Sequence, residues 1–165
     1  MLHNLLETVP QIGTLRWIGI AIEPRATIEA VESADLLVGE GIVGDHHSSR
    51  KPGGKRQVTL IQAEHLPVVA ALCGRDSVEP DSLRRNLVVS GINLLSLKSQ
   101  RFQIGSVTLE GSGPCEPCSL MEKNLGQGGY QAMRGHGGIT ARVLMGGTIR
   151  LGDSVRVIAS HDEVE

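Results

Sequence analysis

Apolar residues along this chain fall in short clusters separated by glycine, proline and small polar residues, with few long helical stripes. Leu15 to Ile22 is a compact apolar run ended by Pro24, and it reads as a strand. Ile28 to Val31 and Leu36 to Val38 are shorter strand candidates, whereas Gln57-Val58-Thr59-Leu60-Ile61 is a clear one. Asn86 to Val89 predicts another, which Ile92 to Leu95 continues or bends. Phe102 to Glu110 carries a kink at Gly105. Ile139 to Met145, a turn at Gly146-Gly147, and Val155 to Ala159 close the chain with the signal of a hairpin. Helical signals are weaker. Leu2 to Gln11 predicts a short terminal helix, and Ser119 to Leu125 and Gly129 to Arg134 predict brief ones divided by Gly126-Gln127-Gly128. Ala63 to Leu72 is the best helix, provided that Pro67 sits in its first turn and Gly74 ends it as a left-handed cap.

Many short strands with frequent glycines predict a mainly β fold, a barrel or sandwich of short strands decorated by a few short helices. A doubly wound parallel sheet does not fit, because the strands do not alternate with full-length helices. The 165 residues contain no repeat, linker or low-complexity tract, so one domain is expected over 1–165, with a core at about 17–157 and an extension at 1–13. A chain of this length buries about two thirds of its unfolded surface.

Composition narrows the function. Trp17, Phe102 and Tyr130 are the only aromatic residues, so the core is aliphatic and the stacking platforms of a single-strand nucleic-acid binder are missing. A net charge of −2 supplies no field that draws the chain to DNA or anionic lipid. No apolar run approaches the roughly 20 residues of a membrane span. The start of the chain does not read as a signal peptide, since Met1 to Gly13 lacks a basic stretch and carries Glu7 before Pro10. With three cysteines, an odd number, a reducing cytoplasm is expected. There, closely spaced thiols bind metal or react more often than they crosslink.

The chemistry concentrates in Gly113-Pro114-Cys115-Glu116-Pro117-Cys118. Two thiols three residues apart in a proline-stiffened loop make poor packing groups and good ligands or nucleophiles. A thioredoxin-like redox pair needs a βαβ context, which is absent. A structural zinc site needs four ligands; Cys73 and the histidines would have to complete it, and no second close pair exists. In Gly44-Asp45-His46-His47 the adjacent histidines point to different sides of an extended chain, which disfavours joint ligation. Asp45 there suits orienting backbone amides, and His46 or His47 a place at a pocket.

Arginine outnumbers lysine twelve to four, and its planar fork suits phosphate and carboxylate. Arg56-Gln57 and Arg84-Arg85-Asn86 sit where loops enter strands, the position that lines a barrel mouth, and clustered Arg and Asn there suit an anionic ligand. Gly135-His136-Gly137-Gly138 either presents backbone N–H groups to a phosphate or simply makes a tight bend. It matches no Walker or dinucleotide fingerprint.

Taken in order, these pieces resemble a known family. Gly39-x-Gly41-Ile42-x-Gly44-Asp45, Arg56 to Ile61, Arg84-Arg85-Asn86-Leu87 and Gly91 to Leu94 are followed by Phe102-x-Ile104-Gly105 and Pro117-Cys118. Gly135-x-Gly137-Gly138, Ala141-Arg142-Val143 and Gly146-Gly147-x-Ile149-x-x-Gly152-Asp153 complete the pattern. It is similar to the MOSC domain, named for the C-terminal part of molybdenum cofactor sulfurase, in its small stand-alone bacterial form. The likeness runs from about Trp17 to Val157.

The resemblance implies a β-barrel with a cysteine exposed at a cleft, where relatives bind molybdenum cofactor (molybdopterin) or handle its sulfur. Cys118 matches that cysteine, following a proline and preceding a short helix, and is the expected catalytic and metal-binding residue. Arg56, Arg84, Arg85, Asn86, Gly137, Gly138 and Arg142 are the expected cofactor-binding set, with Cys115, Asp45, His46, His47 and His136 as accessories. Members often read Gly-Asp-Arg-His where this chain has Gly44-Asp45-His46-His47, so a permanently charged donor is missing from that loop. The pyridoxal phosphate lysine of full-length sulfurases has no counterpart here.

One expectation is therefore a molybdenum-dependent reductase of N-hydroxylated small molecules, fed by a separate electron-donor protein. A second is a non-catalytic carrier bearing a persulfide on Cys118, supplied by a pyridoxal-phosphate-dependent cysteine desulfurase. A third is a metal-free small-molecule binding domain.

Overall fold

Strands dominate because the apolar clusters are too short for helices and are punctuated by glycines that turn the chain. The computed structural model describes residues 1–46, 48 and 52–158. In chain order it contains α1 (Leu2–Glu7), β1 (Gly13–Ile20), β2 (Glu29–Val31), β3 (Ser33–Leu37), β4 (Gly41–Ile42), β5 (Val58–Gln62) and α2 (His65–Leu72). It continues with β6 (Leu87–Ser90), β7 (Arg101–Ile104), β8 (Val107–Pro114), α3 (Ser119–Leu125), α4 (Gly129–Met133), β9 (Ile139–Met145), β10 (Gly147–Arg150) and β11 (Ser154–Val157). Two single 3-10 turns, Pro80–Leu83 and Leu94–Leu97, precede and follow β6.

The main sheet runs β11-β7-β8-β9-β5-β6-β1-β2, and β11 also pairs with β1. Seven strands therefore close into a barrel, with β2 attached to the outer half of β1. Pairing is antiparallel except for β5 and β6, which run parallel through the crossover that contains α2. Inside, an aliphatic core including Leu15, Ile18, Leu60, Leu87, Leu109 and Val143 surrounds Phe102. Each such side chain, fully buried, is worth about 1.5–3 kcal/mol. A second apolar cluster lies between the barrel wall and the helices, where Ile61 and Val88 meet Val69, Leu83, Met121 and Met133. This explains why every residue of β5 is buried: one face fills the barrel and the other is covered.

The helix over Ala63–Leu72 begins at His65, placing Pro67 in its first turn, and Gly74 beyond it is left-handed with φ 65°. The kink expected at Gly105 is a full hairpin turn, with φ 57° there, separating β7 from β8. Ile92 to Leu95 leaves the sheet instead of continuing it, because the Asn93 side chain accepts the Leu95 N–H and starts a 3-10 turn. The closing hairpin requires correction. β9 and β11 do not pair; after Gly146 the chain enters β10, which joins β3 and β4 in a separate three-stranded sheet. A Cβ on Gly146 would stand 2.5 Å from the Leu36 carbonyl oxygen, so the glycine permits the close approach that diverts the chain. No described helix is long and apolar enough to cross a membrane.

Candidate functional site

The proline-bracketed loop between β8 and α3 separates its two thiols. Cys115 is buried, its N–H bonded to the Gly138 carbonyl at 2.9 Å, while Cys118 is exposed at the residue preceding α3. Both are free thiols.

Cys118 lines a cleft of about 230 Å³. The hollow is walled by the end of β1 and the loop after it (Ala21, Pro24, Arg25, Ile28), by Asp45 and His46, and by Arg56 just before β5. Arg84, Arg85 and Asn86 enter from the start of β6, and Leu120 of α3 completes it. Of the sequence-derived set, the structure thus brings together Cys118, Arg56, Arg84, Arg85, Asn86, Asp45 and His46.

Their roles differ. Arg85 is 1% exposed. Its Nε donates to the Gly137 carbonyl at 2.9 Å, Nη1 to Leu83 at 2.9 Å and Nη2 to Cys115 at 3.4 Å. The guanidinium therefore clips three segments of backbone together. Burial pushes its pKa below the ordinary value; the neighbouring Cys115 opposes that, Arg56 reinforces it, and Cys118 opposes it. A guanidinium keeps its proton at neutral pH regardless. Asn86 is also held from within: Oδ1 accepts from the Thr59 N–H at 3.1 Å and Nδ2 donates to the Gly19 carbonyl at 3.1 Å, tying β1, β5 and β6. Asp45 Oδ1 accepts the Ala21 N–H at 3.0 Å. His46 stands on the same residue, its Nδ1 3.2 Å from the Ala21 carbonyl, a contact in which Nδ1–H donates.

Other members of the set lie elsewhere. Gly137 and Gly138 are absent from the lining of the cleft and serve as close-contact positions. A Cβ on Gly137 would meet the Cys115 carbonyl oxygen at 2.1 Å, and one on Gly138 the Leu60 carbonyl oxygen at 1.8 Å. Arg142, on β9, faces Glu110 at 3.8 Å. His136 stacks edge-on against His65 with ring centroids 5.2 Å apart. Burial and the His136 charge lower the His65 pKa. His47 falls outside the described residues. Cys73 caps the end of α2, beside the outer apolar cluster. Among the described residues no three His, Cys, Asp or Glu side chains converge as a metal cluster, so a multi-ligand zinc site finds no support there.

Arg25 was not singled out by its sequence. It occupies the Pro24-Arg25 step that ends the first apolar run, and an arginine at a chain reversal beside a predicted barrel mouth is the signal that points to it.

A family model described as the MOSC domain matches residues 43–156. The chain belongs to the MOSC-domain family. That family is associated with molybdenum cofactor binding. Solved structures share the barrel. The YUAD protein from Bacillus subtilis is 22% identical with a TM-score of 0.78, the match covering 91% of this chain and 98% of that one. YiiM from Escherichia coli is 18% identical with a TM-score of 0.68, covering 88% of this chain and 70% of that one. YiiM from Geobacillus stearothermophilus is 16% identical with a TM-score of 0.69, covering 88% and 75% respectively. At these identities the likeness is one of fold. No curated protein matches the chain in sequence.

Proposed function

We propose that this MOSC protein binds molybdenum cofactor in the arginine-lined cleft, with the Cys118 thiolate as the metal ligand. In this reading it reduces N-hydroxylated small molecules with electrons from a separate donor protein. The observation that carries the reading is an exposed thiol sharing one hollow with four arginines.

The residues present suit the group. A thiolate is a soft donor of the kind molybdenum accepts. Guanidinium groups are the natural partners of a pterin phosphate. When bound, the cofactor supplies two-electron redox chemistry. The chain does the rest: Cys118 anchors the metal, Arg56 and Arg84 neutralise anionic groups, and Arg85 holds the cysteine loop against the start of β9. His46 lines the same cleft with its Nδ1 beside the Ala21 carbonyl.

The test is expression in a host able to make the cofactor, followed by molybdenum and pterin assays of the parent, Cys118→Ala and Cys115→Ala. The reading expects metal near one equivalent, lost in Cys118→Ala and retained in Cys115→Ala, and turnover of an N-hydroxylated base with a reduced viologen as donor. A cyanide-releasable sulfur on Cys118 without metal would replace it with the sulfur-carrier reading, in which a cysteine desulfurase is the partner. Neither metal nor labile sulfur would leave a small-molecule binding domain.

A further inference from the structure

The end of the barrel away from the cleft carries an apolar face that the chain itself leaves uncovered. β5 and β6 run parallel, and the cleft lies at their starts, through Arg56 and Asn86. The segment that follows β6, from Gly91 through Asn93 to Leu95, lies at the opposite end. There Leu2, Leu5, Leu6 and Leu95 are between 60% and 71% exposed. Single exposed apolar side chains are ordinary, whereas several gathered on one face mark a surface that another molecule covers.

Helix α1 is held by little of its own chain. Leu2, Leu5 and Leu6 stand at i, i+3 and i+4 and so share one stripe. Yet no residue of the helix is buried, and no side chain caps its start. Six residues fall well short of the roughly 12–15 at which a helix holds alone. A hydrogen bond from Gln100 Nε2 to the Leu6 carbonyl, 3.4 Å long, ties it to the body.

Beside α1 runs a groove of about 630 Å³, bounded on its other side by the segment Asn93 to Gln100. Leu5, Leu6, Val9 and Leu95 line it, with Glu7 and Lys98 among its polar residues. Ridge and groove thus share one face. An isologous contact requires this, because each copy must return every contact that it receives. The charges agree: Lys98 has no ion-pair partner among the described residues, and Glu7 meets only His3, 3.2 Å away, an ionic partner only when protonated. A groove of one sign would repel its own copy, whereas one acid and one base can pair reciprocally.

We infer that this face joins two copies of the chain, the leucine stripe of each α1 entering the groove of the other, with Glu7 of each opposite Lys98 of its partner. Both Cys118 clefts stay open, since they lie at the far end of the barrel. The contact needs no cofactor.

Sedimentation equilibrium of the full chain across the micromolar range tests it. A monomer–dimer equilibrium is expected, its dissociation constant raised at least about tenfold by Leu5→Glu, because the axis places each substitution in the interface twice. Lys98→Glu is expected to weaken the dimer about three- to tenfold, and Glu7→Lys combined with Lys98→Glu to restore it, a rescue that a damaged fold would not give. Val38→Ser, exposed but outside the groove, is expected to dimerise like the parent. Leu5, Glu7 and Lys98 are all exposed, so every variant is expected to keep the parent's circular dichroism. A monomer at all concentrations, or a dimer that Leu5→Glu leaves unchanged, overturns the inference. So does a monomer that floats with phosphatidylcholine vesicles and ceases to in Leu5→Glu, which would assign the face to a lipid surface.

Discussion

Replacing Arg85 with methionine removes the most buried charge of the site while keeping a stem of similar length. Three backbone carbonyls, Leu83, Cys115 and Gly137, lose their guanidinium donor. Leaving a buried acceptor unsatisfied costs about 1–3 kcal/mol, and a hydrogen bond from a charged donor is worth about 1.5–3 kcal/mol. Against this, the variant no longer buries a charge whose desolvation costs several kcal/mol. The adjoining cleft also lets water reach part of the gap. The balance is a loss of about 3–5 kcal/mol, the range typical of removing one side of a buried charged network. With a urea m-value of about 2 kcal/mol/M, the midpoint falls by about 2 M. Equilibrium urea unfolding of the metal-free protein, read by circular dichroism, measures it. Arg85→Lys should lie between, since an ammonium supplies charge but not the planar fork that reaches three directions. A loss under about 1 kcal/mol for the methionine variant would refute the claim that Arg85 holds the cysteine loop.

Gly138→Ala, which sets a Cβ on the Leu60 carbonyl at a φ of 83°, should destabilise the protein by about 2–4 kcal/mol in the same assay. Iodoacetamide under native conditions should modify Cys118 well before Cys115, as mass spectrometry of the peptides would register, because only the first thiol is exposed. Glu122 accepts the N–H groups of Tyr130 and Gly128, which hold its pKa below the ordinary 4.5. Its contribution is therefore present above pH 4.5 and fades as pH falls through the lower folded value, so Glu122→Gln should flatten the acid limb of a stability–pH profile there and leave the neutral region's slope unchanged.

What could be read from the sequence was whatever is decided locally. The strand read over Gln57–Ile61 and found at Val58–Gln62, the first-turn Pro67 and the left-handed Gly74 follow from neighbouring residues, whereas the exposure of Cys118 comes with the family resemblance, since Cys115 also follows a proline and is buried. What escaped depends on partners far along the chain. The pairing of β10 with β3 joins residues more than a hundred positions apart, and a glycine turn after an apolar run looks the same whether the next strand folds back or departs. Arg85 and Arg84 are neighbours of one residue type, yet one is sealed against backbone and the other lines the rim. Only the left-handed turn at Arg84 and the closure of the barrel decide which is which. His136 similarly belongs to the helices, its Nδ1 3.1 Å from the Ala132 carbonyl of α4 and its ring edge-on to His65 of α2.

Arg85 also bears on how the cleft acquires its charge. A buried guanidinium is ordinarily matched by a carboxylate, which satisfies its donors and cancels its field together. Here, among the described residues, no carboxylate pairs with it, and carbonyl oxygens do the matching. Carbonyls satisfy hydrogen bonds without supplying a net negative charge, so the positive field persists in the direction of Cys118. The carboxylate that does line the hollow, Asp45, accepts a backbone N–H from Ala21. Main-chain groups thus take up the guanidinium of Arg85 and one carboxylate oxygen of Asp45. The same arrangement keeps a cation buried against the backbone of the cysteine loop, so that the field it sends into the cleft is positive.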